Sequence, residues 1–207
     1  MKAEYIDVER LRHFRCGADA LTFFRIAAAP GLWWAVAEHW WQGAACIFVA
    51  AAASDFFDGP LARRALGGPA SSGRMRDHAA DALFVVVGLA ALSLQEMIPP
   101  LLPLLIALAF LEYAGEPLLL AHISHHGLAT HSGEKYGLSA TGPRPSRLGR
   151  TNGLAYYVLL GTPLLRGACE LAWPSAAAVR CAAWLLVFTT MLSVASRTRT
   201  LWYASRS

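Results

Sequence analysis

The chain has 207 residues, of which 56% are hydrophobic and only 15% are charged. A soluble domain usually carries about a quarter charged residues, so this composition argues against an ordinary soluble enzyme and for a chain whose solvent is lipid. The net charge of +4 comes from arginines that cluster between apolar blocks, where membrane topology places them, and we therefore expect no nucleic-acid partner.

Residues 1–19, which precede the first apolar block, mix charged and apolar side chains. The apolar residues that recur among the charges are Tyr5, Ile6, Val8, Leu11 and Phe14. This spacing predicts a short amphipathic helix over residues 4–16 that lies on the cytoplasmic membrane surface. The alternative interpretation is an ordinary polar tail.

Six apolar blocks follow, and a helix that crosses the bilayer needs roughly 20 mostly apolar residues. The blocks cover residues 20–37, 41–57, 77–94, 97–121, 151–172 and 175–196. The fifth block is the weakest, because Arg166 and Glu170 lie inside it. We therefore expect an all-α, polytopic membrane protein in which residues 1–207 form one domain. In that domain, residues 20–196 would form a bundle of six transmembrane helices and residues 197–207 a cytoplasmic tail.

The distribution of arginine and lysine predicts the orientation of the bundle. Basic residues precede the first block, follow the sixth, and fill the connections after the second and fourth blocks. The opposite connections are flanked only by Arg166 and Arg180. By the positive-inside rule, both termini face the cytoplasm, and we expect a multi-pass protein of the cytoplasmic (inner) membrane.

Four aspartates lie where the second and third blocks meet the cytoplasmic interface. Asp55 and Asp58 are three residues apart, and Asp77 and Asp81 are four apart, so on helices each pair lies on one face. Carboxylates gathered in a partly desolvated place repel each other unless something positive compensates them. Hard divalent cations such as magnesium, manganese or calcium do this best. The pattern therefore predicts a metal site, and the alternative is a solvated loop in which neighbouring arginines pair with the aspartates.

The same segment resembles the signature of the CDP-alcohol phosphotransferase (CDP-alcohol phosphatidyltransferase) family. The fixed positions of that signature are filled by Asp55, Asp58, Gly59, Ala62, Arg63, Gly73, Asp77 and Asp81. Six transmembrane helices and an amphipathic N-terminal helix are also typical of the family. The resemblance therefore extends over nearly the whole chain, although the specific motif is confined to residues 55–81.

The resemblance implies a site and a reaction. Two divalent metal ions, Mg²⁺ or Mn²⁺, would be held by Asp55, Asp58, Asp77 and Asp81. The cytidine and phosphates of a CDP-linked lipid, usually CDP-diacylglycerol, would be bound by Gly59, Ala62, Arg63 and Gly73. Asp81, with Asp77 beside it, would act as the general base on the acceptor hydroxyl. Transfer would release CMP on the cytoplasmic side and leave a phosphodiester lipid in the membrane, and family members are usually homodimers.

Upstream, Leu21-Thr22-x2-Arg25 resembles the opening of the family's first span, with Asp19 where asparagine is usual. The resemblance places Thr22 among the residues that bind the donor. Arg25 lies near the inner end of a span, and it either faces the site or extends toward the lipid head groups.

The acceptor side has weaker signals. Gly149-Arg150-Thr151 loosely resembles a basic segment of some phosphatidylglycerophosphate synthases, and Lys135 and Arg150 are candidates to bind a phosphorylated acceptor. Topology signals or contacts with anionic lipids are the alternative. Glycerol 3-phosphate is the first acceptor to consider, with an inositol phosphate or another polar alcohol close behind. His78 after Asp77 and Ala82 after Asp81 depart from the glycerophosphate type, in which proline and lysine are common.

Two further groups of polar residues lie in or after the fourth block. His122, His125, His126 and His131 are either a metal site or polar residues of a loop. Glu112 and Glu116, one helical turn apart, indicate contact with a cavity or a partner, either Arg25 or the acceptor pocket. A cation-coupled transporter is the alternative from another functional class. The lack of an internal repeat and the interfacial position of the aspartates argue against it.

Overall fold

The structure is a computed structural model that describes residues 22–65, 71–125 and 147–204. Side chains are described for residues 22–54, 76–115, 149–199 and 202. The expected amphipathic helix over residues 4–16 lies outside these ranges.

The regular structure in the described ranges consists of six α-helices. They are α1 over residues 22–37, α2 Trp41–Ala65, α3 Ser71–Leu94, α4 Leu101–His125, α5 Arg147–Ala168 and α6 Ala176–Ala204. The all-α expectation is confirmed. The predicted fourth span begins at residue 97, whereas α4 begins at Leu101, directly after Pro99 and Pro100; proline has no backbone N–H to donate, and it disfavours the helical conformation in the residue before it. The predicted fifth span covers residues 151–172, whereas α5 covers residues 147–168.

Two helical stretches in the described residues are long and apolar enough to cross a membrane, namely Arg76–Leu94 and Ala176–Arg199. Trp41–Ser54 and Leu101–Gly115 are shorter apolar stretches. The outer surface carries large apolar side chains that are more than half exposed. Examples are Leu154, Val158, Leu185 and Phe188. A soluble protein rarely exposes so much contiguous apolar surface, whereas a helical bundle in lipid does. The structure thus supports a membrane location, with two clear candidates for spanning helices.

The helices pack into one bundle around a buried apolar core. Helix α2 packs on α5, α4 packs on both α3 and α6, and α5 packs on α6 and more lightly on α3. The centre of the core includes Leu32 of α1, Phe84 and Leu89 of α3, and Leu160 and Leu164 of α5, none of which is exposed. The core therefore joins α1, α3 and α5 along much of their lengths.

Gly88 of α3 allows these three helices to approach closely. A Cβ atom at this position would lie 2.8 Å from Cδ2 of Leu32 and 2.8 Å from Cδ1 of Leu160. Both leucines are fully buried, so neither side chain has open space into which to move. The spacing of the three helices therefore depends on the absence of a side chain at residue 88.

We expect Gly88→Ala to destabilise the protein relative to Gly153→Ala. The first variant overpacks the core, which typically costs about 1–3 kcal/mol. The second adds a methyl group to α5 where nothing lies within 4 Å, so only the gain in helix propensity remains. Thermal unfolding in one detergent measures both variants. Equal midpoints would mean that the leucine side chains rearrange without cost.

Three helices are followed by a non-glycine residue in the left-handed conformation. His39, Glu96 and Glu170 follow α1, α3 and α5 with φ angles of 57°, 57° and 52°. After each of them, a backbone N–H bonds back to a carbonyl of the last turn, as in Met97 N to Leu92 O at 3.1 Å. Glycine is the usual residue at this left-handed position of a helix end. All three ends lie together, at the end of the bundle opposite the N-termini of α1, α3 and α5.

Candidate active site

Side chains from three helices meet at the N-terminal half of α3. The Thr22 hydroxyl of α1 donates a hydrogen bond to Oδ1 of Asp77 at 2.5 Å. One turn along both helices, the Arg25 guanidinium pairs with Oδ1 of Asp81. Residues three apart on α1 and four apart on α3 lie on single faces, so two pairs form side by side. The predicted spacing of Asp77 and Asp81 thus places both carboxylates toward α1.

Arg25 is buried at the helix contact. Its side chain is 1% exposed, whereas that of Asp81 is 22% exposed. A buried guanidinium requires an anionic partner, because removing it from water unpaired would cost several kcal/mol. Arg25 therefore faces the site rather than the lipid head groups, which decides between the two sequence interpretations. The ion pair holds Asp81 at the edge of the core with part of its surface accessible.

Tyr157 of α5 supplies a second contact to the carboxylate of Asp81. Its hydroxyl donates to Oδ1 of Asp81 at 3.1 Å, and its ring lies 6.4 Å from that of Phe48 on α2. Two donors, a guanidinium and a phenol, therefore share one oxygen of Asp81 and fix the plane of its carboxyl group. The sequence analysis missed Tyr157. Its signal is only a hydroxyl-bearing side chain inside an apolar block.

The remaining predicted ligands lie in the helices that flank the connection between α2 and α3. The last turns of α2 carry Asp55, Asp58, Gly59, Ala62 and Arg63, and the first turn of α3 carries Gly73. The side chains of these residues are not among those that the structure describes. Among the described residues, no group of three histidine, cysteine, aspartate or glutamate side chains is placed to hold a metal ion. Asp77 and Asp81 themselves fit a hard cation, as two partly accessible carboxylates one turn apart.

The other candidate residues make no described contact with Asp77 or Asp81. Arg150 is exposed in the first turn of α5, at the same end of the bundle as Asp77, and Lys135 lies outside the described residues. The side chains of the histidine cluster and of Glu116 also lie outside them. Glu112 accepts a hydrogen bond from Thr198 of α6 at 2.6 Å. Of the two alternatives for Glu112, contact with Arg25 is not found among the described residues, because this face of α4 packs on α6.

His78 packs against α4. Its ring lies 6.1 Å from that of Tyr113, and the Arg197 guanidinium of α6 lies 5.2 Å from the same tyrosine ring. His78 thus joins α3 to α4 and α6, on a different side of α3 from the contacts with Thr22 and Arg25. Its place next to Asp77 in the sequence does not put it among the partners of that aspartate.

Comparison with known proteins identifies the family. The model of the CDP-alcohol phosphatidyltransferase family matches residues 16–195, a range that includes the four aspartates, Thr22, Arg25 and Tyr157. No curated protein and no solved structure matches the chain significantly. The match covers most of the chain and favours a transferase over a transporter. The chain belongs to the CDP-alcohol phosphatidyltransferase family, whose members are integral membrane enzymes that transfer substituted phosphate groups in lipid synthesis.

Proposed function

We propose that the protein transfers the phosphatidyl group of CDP-diacylglycerol to the hydroxyl of a small polar alcohol and releases CMP. The observation that carries this proposal is the pair of carboxylates on α3, each held by a side chain of α1. Asp77 is bound by Thr22, and Asp81 by Arg25 and Tyr157. Their arrangement leaves two oriented, partly accessible carboxylates at one end of a membrane bundle.

The proposed metal site combines this pair with the aspartates of α2. Asp55, Asp58, Asp77 and Asp81 would hold two divalent cations, Mg²⁺ or Mn²⁺. When bound, such cations neutralise the negative charge of the pyrophosphate and of its leaving group. The Thr22 hydroxyl supports this role, because it orients the Asp77 carboxylate from the neighbouring helix.

The donor would be bound by residues next to the carboxylates. We assign its cytidine and phosphates to Gly59, Ala62, Arg63 and Gly73. Their positions in the last turns of α2 and the first turn of α3 place these residues beside the aspartates along the chain. An arginine fork suits a phosphate, and glycine allows close approach to the backbone.

Asp81 is the proposed general base. It would accept the proton of the acceptor hydroxyl while that oxygen attacks the lipid-side phosphorus. The bond between this phosphorus and the bridging oxygen breaks, CMP leaves with that oxygen, and Asp81 later returns the proton to solvent. Arg25 and Tyr157 keep the carboxyl group in one orientation, so that little reorganisation is needed during transfer.

A phosphorylated alcohol is the acceptor that we propose first, with glycerol 3-phosphate ahead of an inositol phosphate or another polar alcohol. Arg150 is exposed at the same end of the bundle as Asp77, which supports a role in binding the phosphate of the acceptor. Lys135 would join it in that role. His78 and Ala82 differ from the glycerophosphate type of the family, so a phosphatidylglycerophosphate synthase is one candidate among several.

We further propose six transmembrane helices with the aspartates facing the cytoplasm, and a homodimer. The exposed apolar surface of α5 and α6 supports contact with lipid or with a second copy. The arginines that flank the ends of the helices support the orientation by the positive-inside rule. The site would open to the inner leaflet, where a lipid-linked donor enters.

The test is CMP release by the purified protein in detergent, with CDP-diacylglycerol and a panel of acceptor alcohols. We expect release that depends on one acceptor, disappears with a chelator and returns with Mg²⁺ or Mn²⁺. The product lipid, identified by mass spectrometry, names the acceptor. Absence of release with every acceptor, while the protein remains folded and binds a divalent cation, would overturn the choice of donor.

A further inference from the structure

A cleft lies at the end of the bundle opposite Asp77 and Asp81. It has a volume of about 600 Å³ and is bordered by the C-terminal ends of α3 and α5 and the N-terminal ends of α2 and α6. This size falls within the range of about 300–1,000 Å³ that is usual for small-ligand sites. Its charged lining consists of Glu96, Arg166, Glu170 and Arg180, and Trp41 forms part of the wall. The transfer reaction proposed above uses none of these residues.

Each arginine is tethered to the turn that follows one of the helices. Arg180 of α6 donates from Nη2 to the Glu96 carbonyl at 3.1 Å, and Arg166 donates from Nε to the Leu171 carbonyl at 3.2 Å. These bonds fix the two guanidinium groups but leave most of their donors for other partners. Within the described residues, neither arginine has a carboxylate within 4.0 Å. Among the described residues, both positive charges therefore line the cleft without forming an ion pair.

The two glutamates reach the cleft from strained turns. Glu96 and Glu170 occupy the left-handed position at the ends of α3 and α5, where glycine is usual. Each turn is also bound by one of the cleft's arginines, so the backbone that carries each carboxylate is held from two sides. Both glutamates are exposed to the cleft. Each turn thus carries a glutamate at a backbone position that favours glycine.

The balance of these charges decides the class of ligand. A purely anionic ligand would meet two carboxylates, and a purely cationic ligand would meet two guanidinium groups. A ligand that carries both a phosphodiester and an amine can pair with both kinds of group. Apolar side chains also line the cleft, among them Leu171, and Trp173, two residues further along the chain, is 82% exposed. Apolar side chains beside charged ones in a cleft fit a molecule that is held in the membrane interface.

We propose that this cleft binds the head group of a zwitterionic, amine-bearing phospholipid. The phosphodiester would be bound by Arg166 and Arg180, and the amine by Glu96 and Glu170. Planar guanidinium groups suit the phosphate oxygens, and the indole of Trp41 offers a favourable face to a cation. The site is separate from the aspartates, and it does not depend on which alcohol the enzyme uses.

Native mass spectrometry of the delipidated protein in detergent micelles tests the proposal. Phosphatidylethanolamine, anionic phosphatidylglycerol and soluble glycerophosphoethanolamine serve as separate probes. We expect the wild-type protein to retain one phosphatidylethanolamine in preference to phosphatidylglycerol. The double variant R166Q/R180Q is expected to lose this retention at least tenfold. The double variant E96Q/E170Q is expected to shift the preference toward phosphatidylglycerol, because the repelling carboxylates are gone.

Glu38→Gln is the matched control, since Glu38 is exposed at the same end of the bundle but does not line the cleft. It is expected to retain the lipid as the wild type does. CMP release by every variant reports whether the bundle is folded, because none of these residues belongs to the proposed active site. Equal retention by the wild type and R166Q/R180Q would overturn the proposal, as would a wild-type preference for phosphatidylglycerol. Binding of glycerophosphoethanolamine without retention of phosphatidylethanolamine would overturn the assignment to a lipid.

Discussion

Replacing Asp81 by asparagine is expected to lower the rate of CMP release by roughly 10²–10⁴-fold, the range that a general base contributes. Asparagine has nearly the same shape as aspartate, and its amide oxygen still accepts from Arg25 and Tyr157. The side chain therefore stays in place but no longer takes a proton from the acceptor hydroxyl, and because the buried Arg25 loses its ion pair with Asp81, rates are compared per folded molecule. Initial rates of CMP release at saturating donor and acceptor measure the effect.

The companion variant is Tyr157→Phe, which removes one hydrogen bond to Asp81 and keeps the carboxylate. We expect kcat to fall about tenfold, as for the loss of one hydrogen bond to a charged group, with an unchanged KM for the donor. A residue that only supports the fold would instead lower the thermal stability and leave kcat per folded molecule unchanged. An Asp81→Asn enzyme within threefold of the wild-type rate would exclude Asp81 as the base.

Replacing Arg25 by methionine is expected to destabilise the protein by about 3–5 kcal/mol, the usual cost of removing one partner of a buried ion pair. The change removes the Arg25 guanidinium from the mostly buried carboxylate of Asp81, while methionine fills much of the same volume. Thermal or denaturant unfolding in a fixed detergent, followed by tryptophan fluorescence, measures the loss. Activity should fall as well, because the orientation of Asp81 is no longer fixed.

A double-mutant cycle separates the ion pair from packing. In R25M/D81N the residue at position 81 is neutral, so we expect most of the lost stability to return while activity stays as low as in D81N. Arg150→Met is the matched control, because Arg150 is exposed and its loss should change stability by less than about 0.5 kcal/mol. If the double variant were as unstable as R25M alone, the contribution of Arg25 would come from packing rather than from its charge.

The sequence predicts the six helices because each apolar block is long enough to form one, but it places their ends poorly. Hydropathy marks only the part of a helix that suits hydrocarbon, whereas the helix continues for as long as its backbone hydrogen bonds can form. Helix α6 therefore continues to Ala204, beyond the expected end at residue 196, and α2 continues to Ala65. Helix α5 ends earlier than expected, at Ala168, and is followed by the left-handed Glu170 and by Pro174.

The candidate active site was predictable only where it depends on local spacing. Asp77 and Asp81 lie on one face because four residues make about one helical turn, whatever surrounds the helix. The partners of Asp81 depend instead on how α1 and α5 are rotated about their axes. An almost uniformly apolar helix has no polar face from which to predict that rotation. For this reason the sequence left Arg25 between two interpretations and marked Tyr157 only as a hydroxyl-bearing residue in an apolar block.

The close contact at Gly88 has a consequence for related sequences. Residues 81 and 88 are about 10 Å apart along α3, and the same α1 and α5 that contact Gly88 also supply Arg25 and Tyr157 to Asp81. In relatives that keep this geometry, the side-chain volumes at positions 32, 88 and 160 should covary, with their sum nearly constant. A larger residue at position 88 should therefore occur with a smaller one at position 32 or 160. Evolution at these apolar positions would then be constrained by the chemistry of a carboxylate that none of them touches.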